Sequence, residues 1–237
     1  MSTYTTRLIG SELVAERTMA FHFEKPADFV FRAGQAIDLA LPTVQEDGEA
    51  ARHAFSLVSA PHEARLSIAT RLRGSAYKEG LRALAPGAAV DIDGPFGSLT
   101  LHKDAARDAV MVAGGIGITP FVSILRQAAQ QRVARQLVLV YSNRRAEDAA
   151  FLDELLALAH DTPGLRVIPT LTQADAVPPG WMGRSGRVDG ALLVALAATA
   201  PIYYLAGPPA FVEAMQADLC RHGADEDDIR SEGFYGY

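Results

Sequence analysis

Apolar residues alternate with polar ones in short runs along the first hundred positions, then change to longer continuous runs separated by helical spacing. Tyr4 to Ile9, Leu13 to Glu16, Met19 to Glu24, Gln35 to Leu41, Phe55 to Val58, Arg65 to Arg71 and Ala89 to Ile92 show partial period-two alternation, the mark of half-buried strands. Breaks fall at Gly10-Ser11, Arg17-Thr18, Pro42, Pro61 and Pro86-Gly87, and Asp47-Gly48-Glu49 reads as a polar loop. About seven short strands in about a hundred residues predict a small antiparallel β-barrel. One helix interrupts them, Tyr77 to Leu84, preceded by Gly74-Ser75-Ala76 and carrying Leu81 and Leu84 on one face. It either plugs one end of the barrel, offers its amino end to a ligand, or does both.

The second half alternates. Asp108 to Val112, Gln136 to Tyr141, Leu165 to Leu171, Ile202 to Ala206 and Asp228 to Glu232 read as strands. Phe121 to Gln131, Glu147 to His160, Asp189 to Ala198 and Pro208 to His222 read as helices. Near-continuously apolar strands between helices mean a parallel sheet covered on both faces. The charged run Lys103 to Arg107 separates the halves, so a barrel unit over 1–104 and an α/β unit over 105–237 are expected.

The stretch Val112-Ala113-Gly114-Gly115-Ile116-Gly117-Ile118-Thr119-Pro120 joins a strand to a helix with almost no side chains. Glycines permit positive φ and let a ligand lie on the backbone. Thr119 is an expected N-cap and Pro120 an expected first helical residue. The positive helix end would then face an anion, most simply a pyrophosphate. Tight packing is the alternative, because Pro120 stands where the dinucleotide pattern has its third glycine. Ser142-Asn143-Arg144 and Gly207-Pro208 also fall at carboxyl ends of strands, where ligands of such sheets bind. That convergence favours a ligand.

Composition narrows the choice. Of 237 residues 49% are hydrophobic and 21% charged, and the net charge of −6 argues against a nucleic-acid scaffold. One cysteine, Cys220, excludes an internal disulfide and a four-cysteine iron–sulfur cluster; it is expected on a buried helix stripe. No metal-ligand spacing links the six histidines to acids or to that cysteine. The amino end lacks a basic-then-apolar leader and no run reaches the ~18 apolar residues of a membrane span. A soluble, cytoplasmic protein is expected.

Arg52-His53-Ala54-Phe55-Ser56-Leu57-Val58-Ser59-Ala60-Pro61 resembles the flavin-binding segment of the ferredoxin–NADP reductase family, Arg-x-Tyr-Ser followed by Ser-x-Pro. Gly74-Ser75, Gly94-Pro95-Phe96-Gly97, the glycine turn, Val140-Tyr141-Ser142-Asn143-Arg144, Tyr203 to Pro209 and Glu232-Gly233-Phe234 extend the likeness in order over almost the entire chain. The resemblance implies FAD in the barrel, held by His53, Ala54, Phe55, Ser56, Ile68, Thr70, Gly74, Ser75, Ala76 and Phe234. It implies NAD(P)H on the sheet, at Gly114, Gly115, Gly117, Thr119, Pro120, Ser142, Asn143, Arg144, Gly207 and Pro208. Phe55 would lie against the flavin ring and Ser56 would hydrogen-bond near N5; otherwise they are a buried strand pair. Glu232 would help proton movement near the flavin; otherwise it is a solvated strand-end acid. Phe234 with Tyr235-Gly236-Tyr237 would cover the flavin face until nicotinamide displaces them, or would be a plain aromatic tail.

Two positions depart from the family pattern. His53 stands where an arginine grips the flavin phosphate, and imidazole cannot make that bidentate clamp. Flavin binding is weaker unless Arg52, Arg71 or Arg73 substitutes. Ala206 stands where many relatives carry a cysteine near the nicotinamide.

Thr172-Gln173 occupies the place where NADPH users tend to show Ser-Arg, and Asp175 is a candidate for the ribose of NADH. Arg184 and Arg187 follow in the same loop, and Arg144 and Arg145, at the end of another strand of the expected sheet, are expected close by in the fold; all four oppose that lean toward NADH. The implied function is hydride transfer from nicotinamide to flavin, then single electrons to a separate carrier. A ferredoxin or flavodoxin, docking on Arg71, Arg73 and Arg82, is the favoured acceptor; ferric complexes, quinones and free flavin are small-molecule alternatives. A non-catalytic flavin- or nucleotide-binding subunit of a larger complex is the rival reading.

Overall fold

Period-two alternation in the first hundred residues resolves into β1 (Ser2–Ala15), β2 (Thr18–Glu24), β3 (Ala36–Glu46), β4 (Glu49–Ser56), β5 (Arg65–Arg71) and β6 (Ala89–Phe96), with α1 (Ala76–Arg82) between the last two. The computed structural model describes residues 2–234 apart from 174, 176 and 198. The strands run antiparallel in the order β4-β3-β6-β1-β2-β5. A bridge between Leu57 and Ile68 joins the two outer strands, and the Val58 amide donates to the Ser67 carbonyl at 2.7 Å. The sheet therefore closes into the expected barrel. Phe21, Phe23, Ile37, Leu39, Leu66, Ile68 and Ile92 fill it. Tyr77 and Leu81 of α1 plug one end, and the Tyr77 hydroxyl donates to the Leu39 carbonyl at 2.7 Å.

Two boundaries differ from the alternation. Gly10 is a register shift inside β1, so the two segments expected around Gly10-Ser11 are one strand. Asp47 and Gly48 have φ of +51° and +84°, the conformation of a two-residue hairpin turn. Strand pairing thus continues to Glu46 and resumes at Glu49, and the merged β1 leaves six strands where about seven were expected.

The second sheet comprises β7 (Ala109–Gly114), β8 (Leu137–Asn143), β9 (Leu165–Leu171), β10 (Arg184–Ser185), β11 (Ile202–Gly207) and β12 (Ile229–Gly233). All pairs are parallel, in the order β10-β9-β8-β7-β11-β12. Every residue of β7, β8 and β11 is buried, as a sheet covered on both faces requires. The helices α2 (Thr119–Gln131) and α3 (Leu152–Asp161) cover one face; α4 (Gly190–Leu196) and α5 (Pro209–Arg221) cover the other. Strand order reverses on either side of β7, which places a ligand crevice at its carboxyl end.

The helix expected over 147–160 is broken. Ala146–Asp148 form a single 3-10 turn, and Phe151, with φ of +60°, separates it from α3. Cys220 is exposed beside the buried stripe of Val212 and Leu219 on α5, and so is not core filler.

Helix α2 is also the joint between the sheets. Val58, Ala20 and Ala69 of the barrel share its core cluster, and the buried Ser123 hydroxyl donates to the Ser59 carbonyl at 2.7 Å. Arg126 reaches back to Glu63 and across to Glu154. A second clamp lies in the connecting segment: the Tyr204 hydroxyl accepts the His102 amide at 2.9 Å and lies 2.7 Å from His102 Nδ1.

Candidate active site

A cavity of about 550 Å³ opens where β4, β5, α1 and β12 converge. Strand β4 contributes Arg52 to Ser56, β5 contributes Thr70, α1 brings Ser75 and Lys78, and β12 supplies Glu232 and Gly233, with Phe234 following. Residues from both sheets thus share one wall. Ser56 Oγ, Thr70 Oγ1 and Glu232 Oε2 are buried and have no hydrogen-bond partner among the described residues. Leaving one such group unsatisfied costs about 1–3 kcal/mol. Three around one cavity fit a polar ligand that supplies their partners. Burial holds the Glu232 carboxyl above the ordinary carboxylate range.

Other expected barrel residues take several positions. Phe55 lines the cavity from β4 and stacks at 6.0 Å on Tyr77. His53 lies against the same ring at 4.0 Å and 15°. Ala54 is exposed at the rim. Ile68 is wholly buried in the barrel core and is not part of the cavity wall. Ser75 caps α1, its hydroxyl accepting the Lys78 amide at 3.3 Å. Gly74 and Ala76 are exposed, and Gly74 borders an outer groove with Leu13, Met19 and Arg73. The Phe234 amide donates to the Gly207 carbonyl at 2.9 Å, which ties the segment after β12 to the end of β11. Tyr235-Gly236-Tyr237 lie outside the described residues.

The glycine turn divides by role. A Cβ on Gly117 would meet the Ala206 carbonyl oxygen at 2.2 Å and the Gly207 nitrogen at 2.6 Å, and one on Gly114 would meet the Phe211 ring at 2.9 Å. These two glycines serve packing. Gly115 has φ of +54° and nothing within 4 Å of its Cβ position, so it alone of the three faces open space. Gly115–Ile118 form a 3-10 turn, and α2 starts directly from it. Thr119 does not cap that helix as expected; its hydroxyl donates back to the Ile116 carbonyl at 3.1 Å. Pro120 follows in the first turn, buried. Ser142 and Asn143 are buried at the end of β8, and Arg144 is exposed beyond them. Gly207 packs against Gly114, and Pro208 leads into α5.

A second cavity, of about 480 Å³, lies between the sheets at the ends of β8 and β9. Arg17, Arg71, Arg73, Arg144, Arg145 and Gln173 line it, with Glu16 and Asp148 as its acids. Arg71 is paired with Asp148, and Arg145 with Glu16 at 2.7 Å. Five guanidinium groups against two carboxylates make an anion-seeking space. Arg17 and Lys78 were not singled out by the motifs. Arg17 arrives through the β1–β2 turn, and Lys78 stands three residues after a capping serine, a spacing that turns a side chain back toward the helix start.

Comparison with known proteins agrees with this architecture. The oxidoreductase NAD-binding domain family matches residues 111–217. Ferredoxin–NADP reductase B of Sorangium cellulosum (strain So ce56) is 35% identical over 175 residues, 73% of this chain and 69% of that protein. The phenol 2-monooxygenase reductase component DmpP of Pseudomonas sp. (strain CF600) is 29% identical over 219 residues, 90% of this chain and 60% of that protein. This chain therefore spans about two thirds of the length of these curated relatives. Among solved structures, a ferredoxin NADP+ reductase from Neisseria gonorrhoeae with bound FAD and NADP superposes with a TM-score of 0.81 at 22% identity, covering 98% of both chains.

Proposed function

Because the chain belongs to the ferredoxin–NADP reductase family, we propose that this oxidoreductase holds FAD in the cavity between β4, α1 and β12 and receives a hydride there from a nicotinamide nucleotide on the parallel sheet. The carrying observation is the trio of buried, unpartnered groups Ser56 Oγ, Thr70 Oγ1 and Glu232 Oε2 around one cavity. The flavin, when bound, supplies the acceptance of a hydride and the release of electrons one at a time. The division we propose assigns residues 1–104 to the flavin unit and 105–237 to the nucleotide unit.

The chain's own part is positioning, exclusion of water and control of a proton. Ser56 and Thr70 offer hydroxyls to the polar edge of the ring. Phe55, backed by Tyr77, gives the ring an apolar wall. Glu232, kept protonated to higher pH by its burial, holds a proton beside it. Gly115 leaves room for the nucleotide's pyrophosphate at the end of β7, where the strand order reverses.

Thr172-Gln173 leans toward NADH, and Asp175 is exposed. The five-arginine cavity speaks for a nucleotide with an extra phosphate, and it turns our reading to NADPH. Electrons then pass to a separate carrier of ferredoxin or flavodoxin type. Arg73 and Arg82 are exposed for docking, whereas Arg71 is engaged by Asp148.

Steady turnover of the isolated chain with NADPH and ferricyanide tests the proposal. Sustained nucleotide oxidation supports the enzyme. Bound flavin without turnover favours the rival, a binding subunit of a larger complex.

A further inference from the structure

The segment 97–108, which carries the chain from the barrel to the parallel sheet, closes on one buried histidine. His102 Nε2 lies 3.0 Å from the Arg107 carbonyl and Nδ1 lies 2.7 Å from the Tyr204 hydroxyl on β11, whose oxygen also accepts the His102 amide at 2.9 Å. A carbonyl only accepts, so Nε2 carries the ring proton. Nδ1 is then the bare nitrogen, and the Tyr204 hydroxyl donates to it. Every donor in this circuit has an acceptor only while the imidazole is neutral.

The surroundings oppose a second proton on the ring. Arg135, from the loop before β8, donates to the His102 carbonyl at 2.9 Å. Arg230 on β12 donates to the Thr100 carbonyl at 3.0 Å and lies 5.5 Å from the centre of the Tyr204 ring. Arg107 is the third cation, and Asp228, the acid that faces this group, is paired with it at 2.6 Å. Burial foremost, and then the charges of these arginines, hold the His102 ring below its usual value, against the pull of the Arg107 carbonyl. A proton on Nδ1 would point at the Tyr204 oxygen, and the tyrosine's own proton would have no acceptor left among the described residues.

We propose that His102 is an acid-sensitive pin of the joint: neutral, it locks the connecting segment onto β11, and its protonation frees that segment. Barrel and sheet then keep the packing of α2 and the Arg71–Asp148 and Arg145–Glu16 pairs, and lose the clamp in the connection between them. The pin belongs to the chain itself and acts with or without a cofactor. The folded ring takes up its proton less readily than an unfolded one, which does so near pH 6.5. Its contribution is therefore complete above about that pH and is lost as pH falls from there toward the folded value.

Hydrogen exchange of the full chain, read by mass spectrometry and corrected for the intrinsic effect of pH, tests this. In the wild type, protection of the segment 99–107 falls about tenfold between about pH 7.5 and about pH 5, while that of α2 stays within about twofold. His102→Gln keeps a donor for the Arg107 carbonyl and does not titrate, so the same segment changes by less than about twofold over that range. Where that variant does not fold, nuclear magnetic resonance of the wild-type imidazole decides: a neutral form protonated at Nε2, with a midpoint below about 6.5, supports the pin. Constant protection in the wild type, an equal fall in His102→Gln, an equal fall across α2, or an imidazole midpoint at or above about 6.5 would overturn the inference.

Discussion

Glu232 on β12 stands in register with Ala206 on β11, side by side at the cavity end of the parallel sheet. The position that the family resemblance gives to a cysteine is thus a methyl group, and the carboxyl is what this pair offers for proton chemistry. Its burial raises its affinity for a proton in the folded state. A carboxyl raised in this way favours the fold below its unfolded value, near pH 4, and that advantage is lost as pH rises through the folded one. Wild type and Glu232→Gln are therefore expected to differ least in melting temperature below about pH 4, with the wild type falling behind as pH rises. Parallel melting curves at every pH would show a carboxyl that feels no burial.

Ser56→Ala removes a hydroxyl that has no partner among the described residues, so the flavin-free protein is expected to be no less stable. Flavin reduction, followed by stopped flow, is expected to slow about tenfold, of the order of one hydrogen bond, while the FAD dissociation constant stays within about twofold. A reduction rate equal to wild type would remove Ser56 from the chemistry.

The glycine turn yields a paired test. Gly117→Ala drives a methyl into the backbone of Ala206 and Gly207 and is expected to lose about 3 kcal/mol in chemical denaturation. Gly115→Ala meets no protein atom and is expected to lose only about 1 kcal/mol for its left-handed backbone. The second variant is the one whose KM for the nucleotide should rise several-fold. Equal stability losses with unaltered KM would make the whole turn a packing device.

The order of the elements was legible because each sheet type has its own pattern: alternation for the barrel, continuous apolar runs such as Leu137 to Tyr141 for the buried parallel strands. Misread boundaries lay where backbone conformation decides. Asp47-Gly48 closes a hairpin through two positive φ angles, and Phe151 breaks a helical run through one. Periodicity carries no trace of either, although an Asp-Gly pair is itself a hairpin signal. At the site, the motif residues Ser56 and Glu232 were legible. The partners brought from elsewhere were not: Lys78 is seen only when α1 is oriented by Tyr77, and Arg17 joins Arg144 only when the two sheets pack.

The joint between the sheets should respond to one oxygen atom. Tyr204→Phe deletes the hydroxyl that accepts the His102 amide and neighbours its ring nitrogen, both buried. A loss of about 1–3 kcal/mol is expected, read by thermal or urea unfolding of the whole chain. No loss would mean that the connecting segment is held by its other bonds, among them those from Arg135 and Arg230 to the carbonyls of His102 and Thr100 and that between His102 Nε2 and the Arg107 carbonyl.

The most direct measurement is anaerobic: the visible spectrum of the purified protein, recorded before and after separate additions of NADPH and NADH. A flavin band that bleaches with NADPH, and more slowly with NADH, is the predicted result. A bound flavin that neither nucleotide bleaches would contradict the hydride transfer at the centre of this account.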